Sequence, residues 1–152
     1  MLTVGTKAPK FSLPDQNGEI LSSEMLKGTP YVIYFYPKDS TPGCTKQAQA
    51  YSENLKKFRA AGYRVIGVSK DSVASHKKFE EKYDLKITLL SDPERQAIEG
   101  FDVWQEKKNY GKVSMGVVRS SFVVDGSGVI TIANPNTKAA EDCGKVMGQL
   151  GL

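Results

Sequence analysis

Two short apolar runs that do not alternate constrain this chain most. Tyr31-Val32-Ile33-Tyr34-Phe35-Tyr36 is β-branched or aromatic throughout, and Arg64-Val65-Ile66-Gly67-Val68-Ser69 reads the same way. A strand with apolar side chains on both faces belongs inside a sheet that is covered on both sides. Ile87–Leu90 and Ser121–Asp125 are further strand candidates, and Asp125-Gly126-Ser127-Gly128 predicts a turn that returns Val129–Ala133 as an antiparallel strand. Helical spacing fills the intervals. Ala48, Tyr51, Leu55 and Phe58 recur at helical spacing, with Gly62 as a stop. Asp71 or Ser72 can cap a helix through Tyr83, with Val73, His76, Phe79 and Tyr83 roughly on one face. A short helix is expected from Asp92-Pro93, and Ala139, Cys143, Val146, Met147 and Leu150 line a final one. The order β-α-β-α-β-α-β-β-α predicts an α/β fold. Its central sheet is mostly parallel with a C-terminal antiparallel hairpin, and helices lie on both faces. No linker, repeat or low-complexity stretch divides the chain, so residues 1–152 read as one domain.

Charge and hydropathy narrow the function. The 21 basic and 17 acidic residues leave a net charge of +4. The lysines fall as dispersed pairs among acids (Lys56-Lys57, Lys77-Lys78, Lys107-Lys108), with no dense basic stretch and no nucleic-acid-binding signature. No apolar run approaches the roughly 20 residues that span a bilayer. The first residues, Met1-Leu2-Thr3-Val4-Gly5, lack the pattern of a secretory signal, so a cytoplasmic setting is expected, with Cys44 and Cys143 as free thiols.

The chemistry concentrates in Tyr36-Pro37-Lys38-Asp39-Ser40-Thr41-Pro42-Gly43-Cys44-Thr45. A buried strand ends at Tyr36, a polar loop follows, and helical periodicity starts around Thr41 to Cys44. Cys44 is therefore expected in or beside the first turn of a helix, at the carboxyl rim of a parallel sheet, where open α/β folds usually build their sites. Unpaired N–H groups and partial positive charge at a helix start favour a thiolate, and such settings bring thiol pKa values to roughly 3.5–7.5. The Thr41 hydroxyl can donate and accept, and could hold a peroxide oxygen. Pro37 would shape the loop and help exclude water. From position alone, a small buried hydrophobe remains an alternative for Cys44.

The string Pro37-x-x-x-Thr41-x-x-Cys44 after an aromatic strand resembles the peroxiredoxin active-site signature, and the fuller Tyr34–Thr45 stretch resembles the bacterioferritin comigratory protein (peroxiredoxin Q) branch. The resemblance extends along nearly the whole chain, through Gly5–Leu13, Leu90–Asp92, Gly100–Trp104 and Arg119–Asp125. It implies a thioredoxin-like fold and reduction of hydrogen peroxide and organic hydroperoxides. It also implies a peroxidatic role for Cys44, peroxide binding by Thr41, shielding by Pro37 and thiolate support by Arg119. Hydroperoxide is the implied substrate. Thioredoxin, glutaredoxin or a small thiol is the implied reductant, with no cofactor, no metal and no nucleic-acid or membrane partner. A monomer or weak homodimer is expected. Arg119 makes independent sense, because a permanently charged guanidinium near Cys44 would favour the thiolate and polarise a peroxide.

The chain departs from that pattern where a second cysteine would resolve the first. Gln49 stands five residues after Cys44, and Phe79-Glu80 on the next helix carries no cysteine either. Cys143 falls on the apolar face of the last helix and reads as a packed, inert thiol, with a resolving role as the alternative. A one-cysteine cycle follows, in which Cys44 becomes a sulfenic acid and an external thiol restores it. Two other readings stand beside it. A dithiol oxidoreductase would need a Cys-x-x-Cys pair, and position 47 is Gln47. A peroxide sensor or interaction protein would use Cys44 as a redox switch. His76 reads as an ordinary helix residue, and Phe101 and Trp104 as packing residues.

Overall fold

A computed structural model describes the backbone of residues 1–152 and every side chain but that of Asn109. The central sheet has five strands in the order β5 (Thr88–Ser91), β4 (Arg64–Ser69), β3 (Tyr31–Phe35), β8 (Ser120–Val124), β9 (Ile130–Asn134). β3, β4 and β5 run parallel, β8 runs against β3, and β9 runs against β8, so four of the five share one direction. Together with helices on both faces, this is the thioredoxin-like α/β arrangement.

Every residue of β3 is buried, and its side chains alternate between two cores. Tyr31, Ile33 and Phe35 pack with Phe11, Leu13, Ile98 and Phe101; Val32, Tyr34 and Tyr36 pack with Cys44, Tyr51, Phe79 and Val146. The second core lies beneath α1 (Pro42–Glu53), α2 (Leu55–Ala60), α3 (Val73–Tyr83) and α5 (Asp142–Leu150). The first is covered by α4 (Gln96–Gly100) and by an N-terminal ribbon of β1 (Ser12–Pro14) and β2 (Ile20–Ser22).

Four details depart from the sequence reading. The helix expected through Phe58 breaks at Asn54, whose side-chain amide donates to the Ala50 carbonyl at 2.8 Å and competes with the helical ladder. The helix expected from Asp92-Pro93 begins at Gln96 instead. The Asp92 carboxylate reaches forward to accept the Gln96, Ala97 and Ile98 N–H groups, which caps the helix from outside. The ribbon β1–β2 was not foreseen. Nor was a second one, β6 (Trp104–Asn109) with β7 (Lys112–Val117), closed by Tyr110-Gly111, both at positive φ as a tight primed turn requires. Ser72 does cap α3, accepting the Ser75 N–H at 3.1 Å.

Candidate active site

Strand β3 ends on the buried Phe35-Tyr36, and the chain then turns out through Pro37 and Lys38. Thr41 is the extended residue before α1, with Pro42 at its first position and Cys44 in its first turn. Pro42 fits there because its missing N–H would have no helical partner. Ser40, at φ +62°, makes the bend into the helix. Asp39 anchors the loop. Its carboxylate accepts Tyr36 Oη at 2.6 Å and Ser75 Oγ at 2.8 Å, it faces His76 Nδ1 at 2.6 Å, and its N–H donates to Asp71 at 3.0 Å. His76, expected as an ordinary helix residue, thus ties α3 to the loop, with Nε2 facing the Leu90 carbonyl at 2.9 Å.

Arg119 comes from the other side. The antiparallel register pairs Phe35 with Ser120, so the residue just before β8 arrives at the carboxyl end of β3, beside the start of α1. Its Nη2 lies 3.4 Å from Cys44 Sγ, and its Nη1 donates to Gln47 Oε1 at 2.6 Å. Gly43 lies under the guanidinium, where a side-chain Cβ would come within 3.4 Å of Nη2. The structure therefore brings Cys44 and Arg119 together, with Cys44 only 1% exposed. Thr41 stands at the N-cap position of the same helix without a side-chain capping bond; its hydroxyl donates back to the Lys38 carbonyl at 2.9 Å, leaving its lone pairs as acceptors. Pro37 lies exposed on the loop.

Further groups meet here that the sequence did not announce. Gln47, one helical turn after Cys44, is fully buried and bridges Arg119 to the buried carboxylate of Asp142. Only the three-residue spacing from Cys44 could have flagged it. Asp142 lies 95 residues away in sequence, and no local signal points to it. The ribbon β6–β7 also approaches. Lys107 has its pKa lowered by burial and then by the Arg119 charge, while the Cys44 sulfur acts in the opposite sense.

Cys143 is a buried free thiol whose nearest polar neighbours are Asn54 Nδ2 and Met147 Sδ, both at 3.9 Å. Asn54 closes the far end of α1. Ten residues of helix, about 15 Å of rise, separate it from Cys44. A direct bridge needs Cα atoms within roughly 7 Å, and the Cys143 sulfur lies toward the far end of the helix whose first turn holds Cys44. Burial, and next the Asp142 charge, push the Cys143 thiol up to about 12.

Known proteins resemble this chain in sequence and in fold along most of its length. The model of the AhpC/TSA family matches residues 4–133. Peroxiredoxin Bcp of Escherichia coli is 45% identical over 129 residues, 85% of this chain and 83% of that protein. Among solved structures, the Xanthomonas campestris bacterioferritin comigratory protein, studied for alkyl peroxide reduction, superposes with a TM-score of 0.88 at 36% identity, covering 93% of this chain and 90% of the other. A cysteine-to-serine mutant of Xylella fastidiosa PrxQ superposes with a TM-score of 0.93 at 28% identity, covering 99% and 96%.

Proposed function

The chain belongs to the AhpC/TSA family and is a peroxiredoxin of the Bcp/PrxQ kind, a thiol peroxidase; from that premise we propose that Cys44 is its peroxidatic nucleophile. The observation that carries the proposal is the guanidinium of Arg119 at 3.4 Å from a sulfur in the first turn of α1. Both the helix start and the cation favour the thiolate, and the same cation can polarise the bound peroxide.

The Cys44 thiolate attacks one peroxide oxygen. An S–O bond forms, the O–O bond breaks, and the leaving alkoxide takes a proton to depart as alcohol or water. Cys44 is then a sulfenic acid. An external thiol attacks that sulfur, water leaves, and a mixed disulfide forms. A second external thiolate takes the reductant's sulfur and releases Cys44 as thiolate. One hydroperoxide and two thiols thus give an alcohol, a water and a disulfide. Thr41 would accept the peroxide O–H, Arg119 would hold the oxygen that is attacked, and Pro37 would shape the loop that screens the site. Hydrogen peroxide and organic hydroperoxides are the proposed substrates, the latter supported by the alkyl peroxide activity of the Xanthomonas relative. Thioredoxin, glutaredoxin or a small thiol would serve as reductant. The cycle would run in the reducing cytoplasm, in one domain spanning residues 1–152, as a monomer or weak homodimer. Among the described residues no helix is long and apolar enough to cross a membrane.

The test is peroxide consumption with a supplied thiol, alongside intact mass after one equivalent of peroxide. Wild type should gain one oxygen or a mixed disulfide at Cys44. Cys44→Ser should consume no peroxide, and Cys143→Ser should keep the first turn. Continued turnover by Cys44→Ser sinks the assignment.

A further inference from the structure

Asp142 is fully buried, and its carboxylate gathers four side-chain donors from three parts of the fold. Oδ2 accepts Tyr51 Oη at 2.6 Å and Gln47 Nε2 at 2.9 Å, both from α1. Oδ1 accepts Ser121 Oγ at 2.6 Å from β8 and Thr137 Oγ1 at 3.1 Å from the loop before α5. Among the described residues no Lys, Arg or His forms an ion pair with it. A buried anion held by neutral donors alone is expensive, and an apolar side chain would fill the space at less cost. What the anion supplies is direction. A carboxylate only accepts, so Gln47 must offer it the NH2 end of its amide. The amide oxygen is thereby turned to the opposite side, where it accepts Arg119 Nη1 at 2.6 Å. Flipped, the amide would set two acceptors together at Asp142 and two donors together at Arg119. Tyr51 reinforces the polarity, since burial and then the Asp142 charge drive its phenol well above its usual range and keep it a donor. Asp142 also steadies the backbone of Arg119 through Thr137, whose N–H donates to the Arg119 carbonyl at 3.0 Å.

We infer that Asp142 is a positioning residue for the peroxide step, fixing the Gln47 amide so that its oxygen holds the Arg119 guanidinium against Cys44. The inference rests on Cys44 as the nucleophile and adds a residue that touches neither peroxide nor sulfur.

The sign of one measurement separates this role from a general electrostatic one. A carboxylate acting only by its charge disfavours a nearby thiolate, so its removal would lower the Cys44 titration midpoint. A carboxylate acting through Arg119 gives the opposite sign. The thiolate absorbance of Cys44 is followed against pH in a Cys143→Ser background, where one thiol titrates. Asp142→Ala should raise the midpoint by about one unit and slow the reaction with hydrogen peroxide about tenfold when assayed below that midpoint, where one pKa unit is a tenfold change in thiolate population. Asp142→Asn should stay near the parent, because the Ser121 and Thr137 hydroxyls can turn to accept its NH2 while its oxygen still receives Gln47. Adding Asp142→Ala to Arg119→Ala should cost nothing more, since a residue that acts through another is not additive with it. A lowered midpoint in Asp142→Ala, or full additivity in the double variant, overturns the inference. If Asp142→Ala does not fold, Gln47→Ala carries the test, because it deletes the bridging amide and leaves Asp142 three donors; an unchanged midpoint in that folded variant is equally fatal. Failure of the nucleophile assignment would show separately, as wild type that gains no oxygen from one equivalent of peroxide, and the titration needs no turnover.

Discussion

A guanidinium beside a sulfur contributes what a helix start alone cannot. Helix N–H groups are fixed in direction, whereas Arg119 has five donors in a planar fork and spends two of its nitrogens here, one on Gln47 and one on Cys44. Lysine has three donors on one nitrogen and lacks the flat fork whose two nitrogens meet Gln47 and Cys44 separately. The second thiol is tuned the other way. Cys143 has its pKa raised from 9.0 to about 12, first by burial and then by the neighbouring Asp142 charge. Its neutral form is therefore favoured by folding. The stability that this contributes is complete below about pH 9 and is lost as pH climbs from there through about 12. Thermal midpoints should accordingly fall more steeply above pH 9 in wild type than in Cys143→Ala. Parallel slopes for the two proteins would show that Cys143 is not the group responsible. The places of both thiols were legible in the sequence, because one follows a polar loop at a helix start and the other sits on an apolar helical face.

At the scale of elements, α1 carries the site at its start and a break at its end. The break at Asn54 was hidden because Leu55 and Phe58 continue the apolar spacing of Ala48 and Tyr51, and spacing does not register a side chain that bonds to its own backbone. The ribbon β6–β7 was hidden for another reason. Val113, Met115 and Val117 do alternate along β7, but after Trp104 its partner β6 reads Gln105-Glu106-Lys107-Lys108-Asn109, so only one arm of the hairpin carries an apolar pattern. The integrity of the first turns of α1 can be probed with Gln49→Cys. In an intact helix, positions five apart rise about 7.5 Å and point about 140° apart, so a Cys44 bridge to the new thiol demands local unwinding. Opening a helix end costs far less than global unfolding. Oxidation of the Gln49→Cys variant should give a bridge to Cys44 by non-reducing peptide mapping, whereas oxidised wild type should show no dominant link between Cys44 and Cys143. Finding that link in wild type would replace the one-cysteine cycle with a two-cysteine one.

Across the whole molecule, the five-strand sheet and its two cores were readable because non-alternating strands admit few arrangements. The pairing of Cys44 with Arg119 was readable only through a family resemblance, since residues 75 apart meet by strand register. The Gln47–Asp142 link escaped both routes, being a buried polar contact between distant elements with no periodic trace. The sheet also holds one apparent flaw. Tyr34 Oη is buried without a hydrogen-bond partner among the described residues, and its ring covers Gly67 on the neighbouring strand, where a Cβ would come within 2.8 Å. An orphaned buried hydroxyl costs about 1–3 kcal/mol, so Tyr34→Phe should raise stability by about 1 kcal/mol in urea unfolding. A clear loss would mean that the hydroxyl has a partner after all. The seclusion of Cys44 reaches furthest. A hydroperoxide is a few atoms across, but a protein thiol must bring an entire surface to a residue that is 1% exposed. On the proposed cycle, every reductant should wait for the same local opening at the start of α1, a motion that would belong to this chain and not to its visitor. More reductant should then lift turnover only to a plateau, which reductants of unlike chemistry should share. After a burst of oxidant, the protein's return to readiness keeps its own clock.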